Sequence, residues 1–120
     1  MSKIIIKKYS DRVEYRLNGE LHREDGPAKE YTNGDKFWYL NDKLHREGGP
    51  AIEYYNGEKH WYLNGKRHRK NGPAVEYRNG KKEYWIDGNE LPFITDDQSL
   101  ILLVDLFIDK NFSKENGINN

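Results

Sequence analysis

The chain contains no cysteine, which excludes disulfides, thiolate metal sites, iron–sulfur clusters and cysteine nucleophiles and suits a reducing cytosol. Net charge is missing too. Twenty Lys and Arg balance twenty Asp and Glu, so neither nucleic-acid binding by broad phosphate neutralisation nor DNA mimicry is expected. Long apolar runs are absent: residues 1–10 hold only Ile4-Ile5-Ile6 in a row, far below the ~20 residues of a membrane helix and without a signal-peptide core. A soluble, cytoplasmic protein with no membrane partner is the expectation. Hydrophobic residues make up only 35% of the chain, yet 13% of it is aromatic, with nine Tyr and three Trp. A core must therefore be built from amphipathic rings on a thin scaffold. At 120 residues there is room for one domain or a short repeat array, not for separate cofactor and substrate lobes.

What is present is a repeat. The chain aligns with itself at a shift of 23 residues, in three nearly complete copies at 18–40, 41–63 and 64–86 that are identical in eleven of 23 columns. A degenerate half-copy at 5–17 precedes them, with Ser10-Asp11 in the place of Asn-Gly, and a fragment at 87–92 closes the array. The organisation predicted is a β-hairpin array over 1–94, an amphipathic helix over 95–110 and a flexible tail over 111–120.

Each copy carries Asn-Gly between aromatic-rich runs, at Asn33-Gly34, Asn56-Gly57 and Asn79-Gly80, the strongest short-range hairpin signal. Both residues tolerate positive φ, so a two-residue type I′ loop is predicted. In that register Tyr55 faces Glu58, Tyr54 faces Lys59, Glu53 faces His60 and Ile52 faces Trp61. Alternation then puts Ile52, Tyr54, Lys59, Trp61 and Leu63 on one face, and Ala51, Glu53, Tyr55, Glu58, His60 and Tyr62 on the other. The first face repeats its apolar anchors and is predicted to pack the core. The second varies from copy to copy, as solvent-facing or partner-facing positions do, but keeps large rings. Its candidate contact residues are Phe37, Tyr39, Tyr55, His60, Tyr62, Arg78 and Trp85.

Between hairpins runs H-R-x-x-G-P-A, at His22 to Ala28, His45 to Ala51 and His68 to Ala74. Pro lacks an N–H and restricts the residue before it, so strand pairing should break there and the chain turn a corner. A less regular turn at Asn18-Gly19, Asn41-Asp42, Asn64-Gly65 and Asp87-Gly88 leads into each corner. The fold class expected is mainly β: a single twisted antiparallel sheet of about four repeated hairpins, with one C-terminal helix packed on it or capping it. At the corners, His22, Arg23, His45, Arg46, His68 and Arg69 have two readings, bracing with Arg paired to Glu30, Glu53 or Glu76, or binding of an anionic ligand. A shared metal is not expected, because equivalent residues two strands apart are separated by roughly 9.6 Å whereas imidazoles on one zinc lie within ~2 Å of it.

The pattern N-G-K-x-H-R-x-x-G-P-A-x-E-Y-x-N-G-x-K-x-W-Y resembles the 23-residue MORN repeat, and more closely its variant form in bacterial, phage and large-virus proteins, over about residues 4–91. Arg23, Arg46 and Arg69 stand where the family usually has Gly. The resemblance implies hairpins laid side by side as a curved ribbon used for protein–protein contact. Some bacterial relatives with the variant repeat are antitoxin or immunity components, which block a partner. Richness in Lys, Asn, Ile and Tyr also suits a phage or AT-rich bacterial coding bias, which would place the protein in the host cytoplasm.

After Pro92 the period becomes helical. Thr95-Asp96-Asp97-Gln98 fits a T-x-x-Q capping box. Leu100, Leu103, Val104 and Phe107 form one stripe, widened by Ile101, Leu102, Leu106 and Ile108. Such a surface needs cover, from the sheet or from a homodimer partner, an edge strand being the other route to a homodimer. No phosphate loop, nucleophile elbow or H-E-x-x-H is present, and the repeated triplets suit a repeated structural need better than an active site. The function expected is non-enzymatic binding and blocking of a protein partner through the aromatic ribbon face or the C-terminal helix, without cofactor, metal or catalytic residues, as an inhibitor, immunity or phage anti-defence factor. The alternative is a sponge for a small anion or nucleotide, held at the His-Arg corners.

Overall fold

The computed structural model describes residues 3–115, with side chains up to residue 106. Four hairpins lie side by side in one open antiparallel sheet: β1 (Ile4–Lys8) with β2 (Arg12–Leu17), β4 (Lys29–Tyr31) with β5 (Lys36–Phe37), β8 (Ile52–Glu53) with β9 (Lys59–His60), and β12 (Val75–Glu76) with β13 (Lys82–Glu83). The short β3 (Glu20–Leu21) also pairs with β2. Three two-stranded ribbons follow the later hairpins: β6 (Tyr39–Leu40) with β7 (Lys43–Leu44), β10 (Tyr62–Leu63) with β11 (Lys66–Arg67), and β14 (Trp85–Ile86) with β15 (Asn89–Glu90). The chain ends in α1 (Asp97–Glu115). The assembly is a thin ribbon, 57 × 42 × 18 Å.

The two kinds of turn are the reverse of the sequence expectation. Ile52 pairs with His60 and Glu53 with Lys59. The Tyr54 amide donates to the Glu58 carbonyl at 2.9 Å and the Gly57 amide to the Tyr54 carbonyl at 3.0 Å. Residues 55–57 therefore form a three-residue loop closed by a glycine bulge, not a two-residue loop. Only the glycines take positive φ there, at 104°, 96° and 90° for Gly34, Gly57 and Gly80. Asn33, Asn56 and Asn79 contribute their side-chain oxygens, each accepting at 2.9 Å from the amide two residues on. The two-residue loops with positive φ at both positions are Asn18-Gly19, Asn41-Asp42, Asn64-Gly65 and Asp87-Gly88.

Cross-strand charge decides between the registers. In the observed one, Glu30, Lys36, Glu53, Lys59, Glu76 and Lys82 stand directly opposite one another in alternating sign across five strand pairs, and opposite charges at paired positions stabilise a sheet. A one-residue slip moves the second strand of each hairpin to the other face. His60 consequently shares a face with Ile52 and Tyr54, while Lys59 and Trp61 join Ala51 and Glu53, which corrects the predicted faces.

One of the resulting faces is organised by arginine. Tyr15, Trp38, Trp61 and Tyr84 alternate across the strands with Ala28, Ala51 and Ala74, each of which is fully buried. The Arg23, Arg46 and Arg69 guanidinium carbons lie 4.0, 3.9 and 4.0 Å from the centroids of Tyr15, Trp38 and Trp61, within the range of a cation–π contact. Their Nη1 groups donate to the carbonyls of Pro27, Pro50 and Pro73 at 3.2, 3.1 and 3.1 Å. They also pair with Glu30 at 3.1 Å, Glu53 at 2.7 Å and Glu76 at 3.8 Å. Gly26, Gly49 and Gly72 supply the space: a Cβ there would lie 2.7, 3.0 and 2.7 Å from the guanidinium carbon.

The helix takes over where this device ends. Twenty-three residues after Arg69 stands Pro92, so Tyr84 has no arginine over it. Instead Tyr84, Ile94, Leu100 and Val104 form a buried cluster, joined by Ile86, Leu91 and Leu103. The Tyr84 hydroxyl donates to Asp97 at 2.8 Å, and burial, reinforced by that carboxylate, pushes its pKa up to about 12. The helix cap is Asp96 rather than Thr95: its carboxylate accepts from the Ser99 amide at 2.8 Å and the Ser99 hydroxyl at 3.1 Å. The helix also runs five residues past the predicted Lys110, to Glu115, so part of the predicted tail is helical. The rest of that tail, Asn116–Asn120, and the side chains of Phe107 and Ile108 lie outside the described residues.

The glycine account makes a specific prediction. Gly72→Ala should expel the Arg69 guanidinium from its ring, so Gly72→Ala and Arg69→Ala should each destabilise by roughly 1–3 kcal/mol while the double variant costs little more than either alone. Urea unfolding of the three variants checks this; additive losses would show that the glycine serves something else.

Candidate functional site

The opposite face carries a continuous row of rings. Cross-strand pairing places Phe37, Ile52, His60, Val75 and Glu83 in one line, beside Tyr31, Tyr54 and Tyr77. Tyr31 meets Phe37 with centroids 5.6 Å apart, Phe37 meets Tyr54 at 5.8 Å, Tyr54 meets His60 at 5.7 Å and His60 meets Tyr77 at 6.4 Å. All four contacts are edge-to-face, the arrangement favoured by ring quadrupoles. Ile52, Val75 and the His60 ring are buried, and Tyr31, Phe37, Tyr54 and Tyr77 are half-buried.

One end of this face departs from the repeat. Arg67 occupies the position held by Leu21 and Leu44 in the earlier copies, and its guanidinium carbon lies 5.5 Å from the Tyr62 ring and 5.2 Å from the Trp85 ring. Its Nη2 reaches His60 Nδ1 at 3.4 Å, and His60 Nε2 lies 2.8 Å from a Glu58 carboxylate oxygen. Glu83 accepts from the Tyr77 hydroxyl at 2.8 Å and from the Trp85 indole at 3.0 Å. Burial works against the Glu83 charge, but those two donors hold its pKa below the usual carboxylate range, and the same bond raises that of Tyr77. Arg67 Nε is buried with no partner among the described residues. The result is a charged and aromatic patch that occurs once.

The predicted contact residues divide. Phe37, Tyr39, Tyr62 and Trp85 lie half-buried on this face. His60 is only 7% exposed, so it supports the rings and Arg67 instead of presenting itself, a correction that follows from the register. Tyr55, 72% exposed, and Arg78 project from the three-residue loops at the sheet margin. Arg67, Glu58 and Glu83 were not among the predicted residues. The signal was present, since the Glu58 and Glu83 columns differ in every copy and Arg67 replaces a leucine, but their convergence depends on the register.

The corner residues are engaged by the fold. The arginines hold the carbonyls and carboxylates described above. His22, His45 and His68 each accept through Nδ1 from the backbone amide opening the next two-residue turn, at 3.1 Å from Asn41, 2.9 Å from Asn64 and 3.0 Å from Asp87. Because an N–H points at Nδ1, the neutral ring carries its proton on Nε2. The 3.3 Å approach of Asp87 to the same His68 nitrogen is therefore not an ion pair while the ring is neutral. Among the described residues no group of three His, Asp or Glu side chains converges to hold a metal ion, and no helix is long and apolar enough to cross a membrane.

No protein-family model, curated protein or solved structure matches the chain.

The histidine geometry sets a pH dependence. Burial, aided by Lys70 and opposed by Asp87, lowers the His68 pKa. The unfolded chain then takes its proton near pH ~6.5 while the folded one resists until lower pH, so this contribution is intact above that value and is lost as pH falls from it through the folded pKa. His68→Asn, whose amide oxygen can accept the same N–H, should show a shallower fall of Tm between about pH 7 and pH 5 than the wild type. Equal slopes in calorimetric melts would refute the assigned role of Nδ1.

Proposed function

We propose that the chain is a non-enzymatic protein-binding module that docks its ring face onto a partner protein and blocks it, as inhibitors, immunity factors and phage anti-defence proteins do. The supporting observation is the position of the helix. It sits on the arginine face at one end of the ribbon, so among the described residues nothing forms a second layer over the rings of the other face, where Tyr39 lies in line with Tyr62 and Trp85 beside Arg67. Tyr, Trp and Arg dominate the binding energy of protein interfaces, and rings immobilised by packing lose little entropy on docking. The MORN-like repeat, whose resemblance implies a protein-contact ribbon, points the same way.

The small-anion reading is weaker. An anion at a corner would displace a carboxylate already held by each arginine, at 2.7 Å in the case of Arg46 and Glu53. The geometry favours bracing.

Tyr39→Ala/Tyr62→Ala/Trp85→Ala combined tests the ring face. Three anchors at about 1–2 kcal/mol each should weaken partner binding by at least ~100-fold. Binding would be read by affinity capture followed by titration against the captured protein, with Tyr9→Ala, at an exposed site near the array's start, as control. Unchanged affinity of the triple variant would remove the ring face as the interface.

A further inference from the structure

A second interaction surface is split between the two ends of the arginine face. At the C-terminal end, α1 buries Leu100, Leu103 and Val104 against Tyr84, Ile86 and Leu91 and turns Leu102 and Leu106, 57% and 68% exposed, outward. Asp105 lies exposed beside them. At the N-terminal end, Ile4 and Ile6 pair with Leu17 and Tyr15, which puts all four on the arginine face. There they border a groove of about 620 Å³, with Glu24 and Asp25 on its far rim. Ile4 and Ile6 are 42% and 53% exposed.

Repeat arithmetic relates these two places. Tyr15 and Leu17 precede Tyr84 and Ile86 by 69 residues, three periods. The groove thus repeats part of the surface on which the chain's own helix sits, and no helix among the described residues lies on it. Charge completes the match. Residues 3–8 carry Lys3, Lys7 and Lys8 and no acid, while residues 96–106 carry Asp96, Asp97 and Asp105 and no base. Pairing β1 with a second β1 would gather Lys3, Lys7 and Lys8 of both copies along one edge with no acid among residues 3–8, which disfavours that alternative.

From this geometry we infer that two copies of the chain form a closed dimer in which the α1 of each lies in the groove of the other. Helix and groove occupy the same face at opposite ends. A two-fold axis that lays two arginine faces together head to foot therefore brings each helix over its partner's groove, and both contacts form at once. The helices act as spacers between the sheets, Leu102 and Leu106 meet Ile4 and Ile6, and Asp105 points toward Lys8 and away from Glu24 and Asp25. The ring faces remain outward, so a partner protein can still dock there.

Sedimentation equilibrium of the full chain at about 100 µM tests the dimer. The expected mass is twice that of one chain, with Ile4→Glu/Ile6→Glu and Leu102→Glu/Leu106→Glu each reducing it to one. Mixing the two variants should restore a dimer at least ~10-fold weaker than wild type, because one of its two contacts remains intact. All four positions are exposed in the single chain, and calorimetric melts of the variants check that the chain still folds. If the two added charges did unfold either variant, the swap Lys8→Glu with Asp105→Lys provides the second route: each single change should weaken dimerisation and the pair restore it. A monomeric wild type, a variant keeping wild-type mass, or a mixture that fails to pair would overturn the inference.

Discussion

Every full repeat is organised around one guanidinium. It lies over a ring of the preceding hairpin, donates to a proline carbonyl and reaches a glutamate on the following strand. A planar, permanently charged group can do all of this at once, which an ammonium cannot. The requirement propagates. The ring must be large, the residue before proline must lack a Cβ, the residue after it must be alanine to fit between two rings, and the glutamate must sit on the same face. In a ribbon 18 Å thick, where no second sheet among the described residues covers the large one, these stacks replace a conventional core, and the helix stands in for the stack at the end of the array.

The same accounting separates structural from functional positions. All eleven invariant columns have contacts inside the array: Asn and Gly in the turns, His on the next turn's amide, Arg, Gly, Pro, Ala and Glu in the stack, Tyr in the ring row, and Lys opposite Glu. None is left over for a ligand. The columns that vary come together at Arg67, His60, Glu83, Tyr62 and Trp85, which is where the proposed binding function would place recognition. A second consequence concerns the ends. A stacked array leaves its first and last faces unmatched; here the last is covered by α1, and the first retains exposed isoleucines.

The period, the hairpins, the corners and the helix were legible in the amino-acid sequence because each depends on local chemistry: Asn-Gly dipeptides bend, proline interrupts pairing, and the spacing of Leu100, Leu103 and Val104 is helical. The pairing of corner arginines with Glu30, Glu53 and Glu76 could also be anticipated from their shared columns. Which turn takes two residues and which takes three could not, since Asn-Gly satisfies both and the choice rests on an alternating Glu–Lys row assembled from strands far apart in the chain. From that single choice follow the side of the sheet on which His60 lies, its burial, and its meeting with Arg67. The contact that ties the helix start to the sheet, from the Tyr84 hydroxyl to Asp97, is likewise long-range. Local propensity thus settled what the units are, and only long-range pairing settled how their side chains are dealt between the two faces, because a sheet's alternation turns one residue of slip into a complete exchange of sides.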